Sequence, residues 1–174
     1  MPTGAYAQYA YGMDNKHDEA ENVEPRDILR NYPTEKRLNY TESYDGGSQN
    51  RTDTWFYGVG YGNQGEVISG GVTNPDGGQT IDHFYDENAP VWYSGLSYKT
   101  EMPDGTVVEK IWNQNIPFGG NGKQKNAYVK TEFTSVKDAA GFLVKTAIKD
   151  FNIDKNGNLL QLIEYDWVNY GDVP

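Results

Sequence analysis

A glycine-rich segment of this chain matches a nucleotide-binding fingerprint. Residues 60–65, Gly-Tyr-Gly-Asn-Gln-Gly, fit the G-x-G-x-x-G pattern of dinucleotide sites. That pattern needs a helix that begins at its third glycine, because the helix N-terminus holds the pyrophosphate. Residues 66–71, Glu-Val-Ile-Ser-Gly-Gly, are β-branched and then glycine-rich, so they favour a turn within a sheet.

A second glycine-rich segment resembles a phosphate-binding loop. Residues 119–124 read Gly-Gly-Asn-Gly-Lys-Gln. The first glycine of the P-loop pattern would fall at Pro117, and the hydroxyl residue after the lysine would be Gln124. Neither position holds the residue type that the motif requires, so we interpret the segment as a surface loop.

Asn152, Asp154, Asn156 and Gly157 match the first half of a calcium-binding loop. The bidentate glutamate that should end such a loop is replaced by Ile163. A hairpin turn explains the same residues, and a structural calcium ion is the open alternative.

Residues that could form a catalytic centre are sparse. The chain has no cysteine, and its two histidines, His17 and His83, lie far apart with no H-E-x-x-H motif. It has no G-x-S-x-G elbow, and no pair of its many carboxylates can be placed together from sequence. We therefore predict no catalytic, cofactor-binding or metal-binding residues and no enzymatic activity.

The tryptophans at positions 55, 92, 112 and 167 could stack on sugar rings, but we favour a core role because aromatic side chains bury large areas. Trp92 and Tyr93, beside Pro90 in a turn-rich stretch, are the best candidates for exposed stacking residues. They support a glycan-binding alternative.

The charge of the chain limits its partners. The formal net charge is -10 and the sequence pI is about 4.6, so nucleic acid and anionic lipid surfaces are repelled. No apolar run approaches a membrane span, and the first residues lack the basic and apolar regions of a signal peptide. An exported protein would need an upstream signal or another route.

The remaining pattern is that of an all-β protein. Tyrosine, tryptophan, glycine and asparagine are abundant, and residues 55–61 and 159–168 alternate with a period of two. We predict a polar, loop-rich segment over residues 1–50, in which the weakly alternating residues 38–44 are a candidate edge strand, and a β domain over residues 51–174. Residues 3–12, with three tyrosines, are a candidate strand for covering a sheet edge.

A recurring turn phrase links the predicted strands. An aspartate or related residue begins a tight turn, a glycine follows three residues later, and an aliphatic residue comes two residues after that. Two Pro-Asp-Gly turns, at residues 75–77 and 103–105, lie between the first and second copies of this phrase. The predicted turn residues are Gly65, Asp76, Gly77, Asp104, Gly105, Asp138, Gly141, Asp154, Asn156 and Gly157.

In these phrases the chain resembles the YD-repeat (Rhs-repeat) family. Residues 151–159 match the family phrase, with Ile153 in the tyrosine place; residues 59–67 keep Tyr61 but replace the aspartate by Gly62. The copy at Asp138 has Lys137 in the tyrosine place. The resemblance covers roughly residues 55–170 and implies a ribbon of antiparallel β-hairpins that, in long members, winds into a hollow shell.

The expected protein is thus an antiparallel β-hairpin ribbon, or twisted sheet, with little helix. The resemblance implies a non-enzymatic scaffold, a fragment or small relative of an exported or cell-surface shell or adhesion protein. Its expected partners are the rest of a larger repeat protein or other copies of itself through strand edges. The alternative function is a carbohydrate-binding module. No nucleic acid partner, membrane insertion or cofactor is expected.

Overall fold

The structure, a computed structural model, describes residues 5–14, 30–62, 66–86, 88–93, 95–114, 127–154 and 156–173. These residues form one antiparallel sheet of ten strands in which sequence neighbours are also sheet neighbours. The strands are β1 (Tyr6–Asp14), β2 (Arg30–Tyr44), β3 (Gly47–Tyr61), β4 (Val67–Thr73), β5 (Gln79–Phe84), β6 (Ser97–Glu101), β7 (Val107–Gln114), β8 (Ala127–Lys137), β9 (Leu143–Ile153) and β10 (Leu159–Asn169). Helical residues in the described part are confined to two 3-10 turns, Val91–Tyr93 and Tyr170–Asp172. The all-β fold class is confirmed.

The chain divides into two compact units. The N-terminal unit comprises Met1–Val59 with Gly71–Gly78, and the C-terminal unit comprises Gly60–Gly70 with Gln79–Pro174. The predicted boundary at residue 50 falls inside β3. The described part of residues 1–50 is mostly strand rather than loop, because β1 and β2 both lie there.

In the N-terminal unit, β1 is the edge strand and pairs with β2 from Tyr6 opposite Asn39 onward. β2 and β3 are joined by Asp45 and Gly46, since Tyr44 pairs directly with Gly47. Asp-Gly between two strands is a strong two-residue hairpin signal, and Gly46 has a positive φ of 107°. Because this turn joins β2 to β3, residues 38–44 form part of a long hairpin made by these two strands.

The fully buried residues of the C-terminal unit lie on one face of β7, β8 and β9. Val107, Ser135 and Thr146 occupy one row across these strands, and Ile148 follows Thr146 on the same face. The hydroxyls of Ser135 and Thr146 lie 2.8 Å apart and form a hydrogen bond. This bond satisfies two polar groups that would otherwise be costly to bury.

The tryptophans are not the centre of this core, contrary to the sequence-based expectation. Trp167 is 45% exposed, and Trp55, Trp92 and Trp112 are half-buried. The physical reason is that, among the described residues, the strands from β5 to β10 contact chiefly their sheet neighbours. A sheet face without a second packed layer leaves its large side chains partly in solvent.

Four hairpin turns share one hydrogen-bond pattern. The N–H of a glycine donates to the carbonyl three residues earlier, and the first turn residue donates to the carbonyl four residues later. The glycine bonds are Gly77 to Asn74 (2.9 Å), Gly105 to Met102 (3.0 Å), Gly141 to Asp138 (3.0 Å) and Gly157 to Asp154 (3.1 Å). With glycine φ values from 84° to 88°, this is a three-residue loop ending in a left-handed residue.

The two turn phrases of the sequence are therefore two versions of the same hairpin. In the first version, Asp138 and Asp154 begin the turn, and each Oδ1 accepts two backbone N–H bonds of 2.8–3.0 Å. In the second, Asp76 and Asp104 lie directly before the glycine, and each accepts one backbone N–H bond at 2.9 Å. Gly65 lies outside the described residues, although the N–H of Gly62 donates to Glu66 with the same four-residue spacing.

Candidate functional site

The most distinctive group of side chains in the C-terminal unit is a chain of aromatic rings. Trp92 and Tyr93 stack with centroids 3.9 Å apart, and Tyr93 lies 4.3 Å from Tyr85. Tyr85 in turn lies 5.1 Å from Tyr98, whose ring is 6.1 Å from His83. We call these five side chains the aromatic cluster. It contains Trp92 and Tyr93, the predicted stacking residues, which are half-buried rather than exposed.

Local backbone structure positions the aromatic cluster. The 3-10 turn Val91–Tyr93 follows Pro90, whose carbonyl accepts a 2.8 Å bond from the Tyr93 N–H. On β6, the register shifts between His83 and Phe84: His83 pairs with Lys99 and Phe84 with Ser97, which leaves Tyr98 as an extra residue. A bulge of this kind redirects a side chain, and here it brings Tyr98 next to Tyr85.

A groove of about 550 Å³ lies beside the aromatic cluster. Its walls include His83, Tyr85 and Tyr98, together with the polar groups of Ser69 and Asp86. Asp86 is exposed, and its carboxylate accepts bonds of 3.0 and 3.3 Å from the backbone and side chain of Asn88. Aromatic surface with a few polar groups at its rim is typical of small-molecule sites. Burial raises the pKa of the Tyr85 phenol, with smaller effects from Tyr93 and Tyr98.

A second group, the Glu101 cluster, lies on the same sheet face as Val107. Lys99 Nζ lies 2.9 Å from the Glu101 carboxylate, Lys137 Nζ lies 3.4 Å from it, and His83 Nε2 lies 3.2 Å from it. The hydrogen bond from Lys99 is the largest cause that lowers the Glu101 pKa to about 2; burial opposes it, and Lys137 contributes. Three cationic or polar partners around one carboxylate indicate a cross-strand ionic link rather than a reactive acid.

The Glu101 cluster predicts a pH dependence of stability. Because the pKa of Glu101 is lower in the folded chain than its ordinary value of 4.5, its stabilisation is complete above pH 4.5. It is lost as the pH falls from about 4.5 to about 2. We expect the free energy of unfolding of Glu101→Gln to fall less than that of the wild type between pH 4.5 and pH 2. Urea denaturation at each pH measures it.

Glu164→Gln is the matched control for that measurement. Glu164 forms an exposed pair with Lys149 at 3.2 Å, and exposed pairs contribute little. This variant should keep the pH dependence of the wild type. Equal pH dependence in wild type and Glu101→Gln would contradict the role of the Glu101 cluster.

The third candidate surface is β10, a sheet edge. Among the described residues its only sheet neighbour is β9, and every residue of β10 is exposed. The exposed apolar side chains of β10 are Leu159, Leu160, Leu162, Ile163, Tyr165, Trp167 and Val168. An apolar strand edge of this length marks a surface for association. Sequence alternation indicates a strand here but does not reveal that this strand lies at an edge of the described sheet.

The nucleotide- and metal-binding motifs of the sequence fall on turns or outside the described residues. Gly60 lies in β3, and β4 begins at Val67, soon after the motif; residues 63–65 and 119–124 are outside the described part. The Asp154 carboxylate accepts hydrogen bonds from the side chain and backbone of Asn158 and from the backbone of Asn156, and these bonds lower its pKa. In the described part of the chain, no three histidine or acidic side chains converge as a metal site requires.

Among the described residues there is no helix with the length and hydropathy that spanning a membrane requires. No model of a known protein family matches this chain, and no curated protein matches it.

Proposed function

We propose that this protein is a structural β scaffold that extends by strand addition at its edge. The observation that carries the proposal is β10, an edge strand with apolar side chains exposed along its whole length. The backbone N–H and C=O groups of such an edge form a template for another strand. The repeated three-residue hairpin turns support a modular architecture, because one local design joins successive strands.

The proposal includes the resemblance to YD-repeat proteins. The hairpins around Asp138 and Asp154 have the geometry that a repeated hairpin unit needs. In this view the chain is a fragment or small relative of an exported or surface-attached scaffold. Its partners are further hairpins of a larger repeat protein or other copies of itself, and its role is non-enzymatic.

Amide hydrogen exchange at several protein concentrations tests the scaffold role. In β10, the amides that point away from β9 should exchange rapidly in dilute protein and become protected as the concentration rises. The amides of β8, which has sheet neighbours on both sides, are the internal control and should not change. If the outward amides of β10 exchange equally fast at every concentration, the edge accepts no strand and the proposal is wrong.

A second candidate function is carbohydrate binding, favoured by the aromatic cluster and its groove. Aromatic faces pack against the apolar C–H faces of sugars, and Ser69 and Asp86 offer hydrogen-bonding groups at the groove. Because the net charge is -10, a neutral saccharide suits this surface better than an acidic one.

Binding to an array of neutral glycans tests this second function. Loss of one stacking contact worth about 1.4 kcal/mol corresponds to a tenfold weaker affinity. We expect Tyr85→Ala and Tyr98→Ala to weaken binding by about that factor, whereas Trp167→Ala on β10 should bind as the wild type does. Equal weakening by all three variants, or no binding of any glycan by the wild type, would exclude the groove as a sugar site.

A further inference from the structure

We infer that β10 pairs with β10 of a second copy, antiparallel and across a two-fold axis at Ile163. This inference rests on the proposed scaffold role and names one partner for the same edge. In such a pairing, Ile163 faces Ile163 of the second copy. Because this pairing is two-fold symmetric, it occupies the β10 edge of both copies and leaves no place there for a third copy.

The composition of β10 leaves this edge open to pairing. Natural sheet edges are commonly protected by lysine, proline or inward-pointing charges. β10 contains no lysine, arginine or proline, and its only charged residues are Glu164 and Asp166. Lys149 on β9 lies 3.2 Å from Glu164, so the first of these charges is already partly neutralised within its own sheet.

The pairing of β10 with β9 identifies the segment that can form a regular ladder. Residues 161–165 oppose residues 152–148 without interruption. A register shift lies on each side of this segment, between Leu159 and Gln161 and between Tyr165 and Val168. Ile163 is the midpoint of the regular segment, so an axis there pairs all of it with the same segment of a second copy.

Charge also selects this register. An axis at Glu164 would place two carboxylates directly opposite each other, and an axis at Tyr165 would place Glu164 opposite Asp166. Like charges in directly opposed positions are destabilising. With the axis at Ile163, Glu164 lies opposite Leu162 of the second copy, and Gln161 lies opposite Tyr165. An axis at Leu162 also separates the acids, but it pairs Tyr165 with a residue beyond the register shift.

The register can be tested with single cysteines, since the natural chain has none. Directly opposed residues of antiparallel strands have Cα atoms about 4.5–5.5 Å apart, within the range that a disulfide spans. Under mild oxidation, the majority of Ile163→Cys chains should therefore be cross-linked into covalent dimers. Val144→Cys is the matched control: both native side chains are 39% exposed, but Val144 lies on β9.

Sedimentation of the wild type and of Ile163→Lys gives an independent measurement. The wild type should be a dimer whose dissociation constant falls as the salt concentration rises. The reason is that each copy has a net charge of -10, and salt screens the repulsion between the copies. Ile163→Lys should be monomeric with an unchanged circular dichroism spectrum, while Val144→Lys should remain dimeric.

The outcomes separate this inference from the scaffold role. A monomeric wild type, or equal cross-linking of Ile163→Cys and Val144→Cys, overturns the inference. Large assemblies with protected β10 amides, in which Ile163→Cys forms no covalent dimer, also overturn it but leave the scaffold role intact. Unprotected β10 amides at every concentration would contradict both.

Discussion

Replacing Val107 by alanine is expected to lower the free energy of unfolding by about 2 kcal/mol, because a buried side chain is truncated and a cavity remains. Val107 is 1% exposed and lies beside Ser135 and Thr146 in the most buried row of the sheet. Natural domains are stable by only about 5–15 kcal/mol, so the shift in urea midpoint should be easily measured.

Val144→Ala is the control for this prediction. Val144 is exposed on β9, and a truncation at an exposed site usually changes stability by less than about 0.5 kcal/mol. If Val107→Ala were as mild as Val144→Ala, the row through β7, β8 and β9 would not be the core of the C-terminal unit.

The strands and turns of this protein are predictable because their causes are local. The alternation over residues 159–168 and the Pro-Asp-Gly turns depend on neighbouring residues alone. The Asp45-Gly46 hairpin is also predictable from the sequence, since an Asp-Gly pair lies between two polar alternating segments. The hairpin is hard to recognise because polar residues occupy both faces of residues 38–44, so their alternation is weak.

Burial and the aromatic cluster were not predictable, because they depend on which strands become neighbours. Ser135 and Thr146 look like surface residues in the sequence, yet they are fully buried because they face each other across β8 and β9. Trp92 and Tyr93 stand out in the sequence by their turn-rich surroundings, whereas the contact of Tyr98 with Tyr85 depends on the bulge on β6. A bulge shifts the side chains that follow it, so period-two arguments fail there.

Replacing Gly157 by valine is expected to lower the free energy of unfolding by about 1–3 kcal/mol, because a β-branched residue would be held at positive φ. Gly157 has φ of 88° at the end of the turn between β9 and β10. An added Cβ there would meet no atom within 4 Å, so the cost would arise from the backbone alone. Urea denaturation followed by tryptophan fluorescence would measure it.

Gly58→Val separates backbone strain from the general effect of adding a side chain at a glycine. A Cβ at Gly58 also meets nothing within 4 Å, but Gly58 lies within β3 and has no positive φ. Valine favours extended backbone, so this variant should be neutral or slightly more stable than the wild type. An unchanged denaturation midpoint for Gly157→Val, or equal losses in both variants, would contradict the left-handed turn, and with it the shared hairpin design on which the scaffold proposal depends.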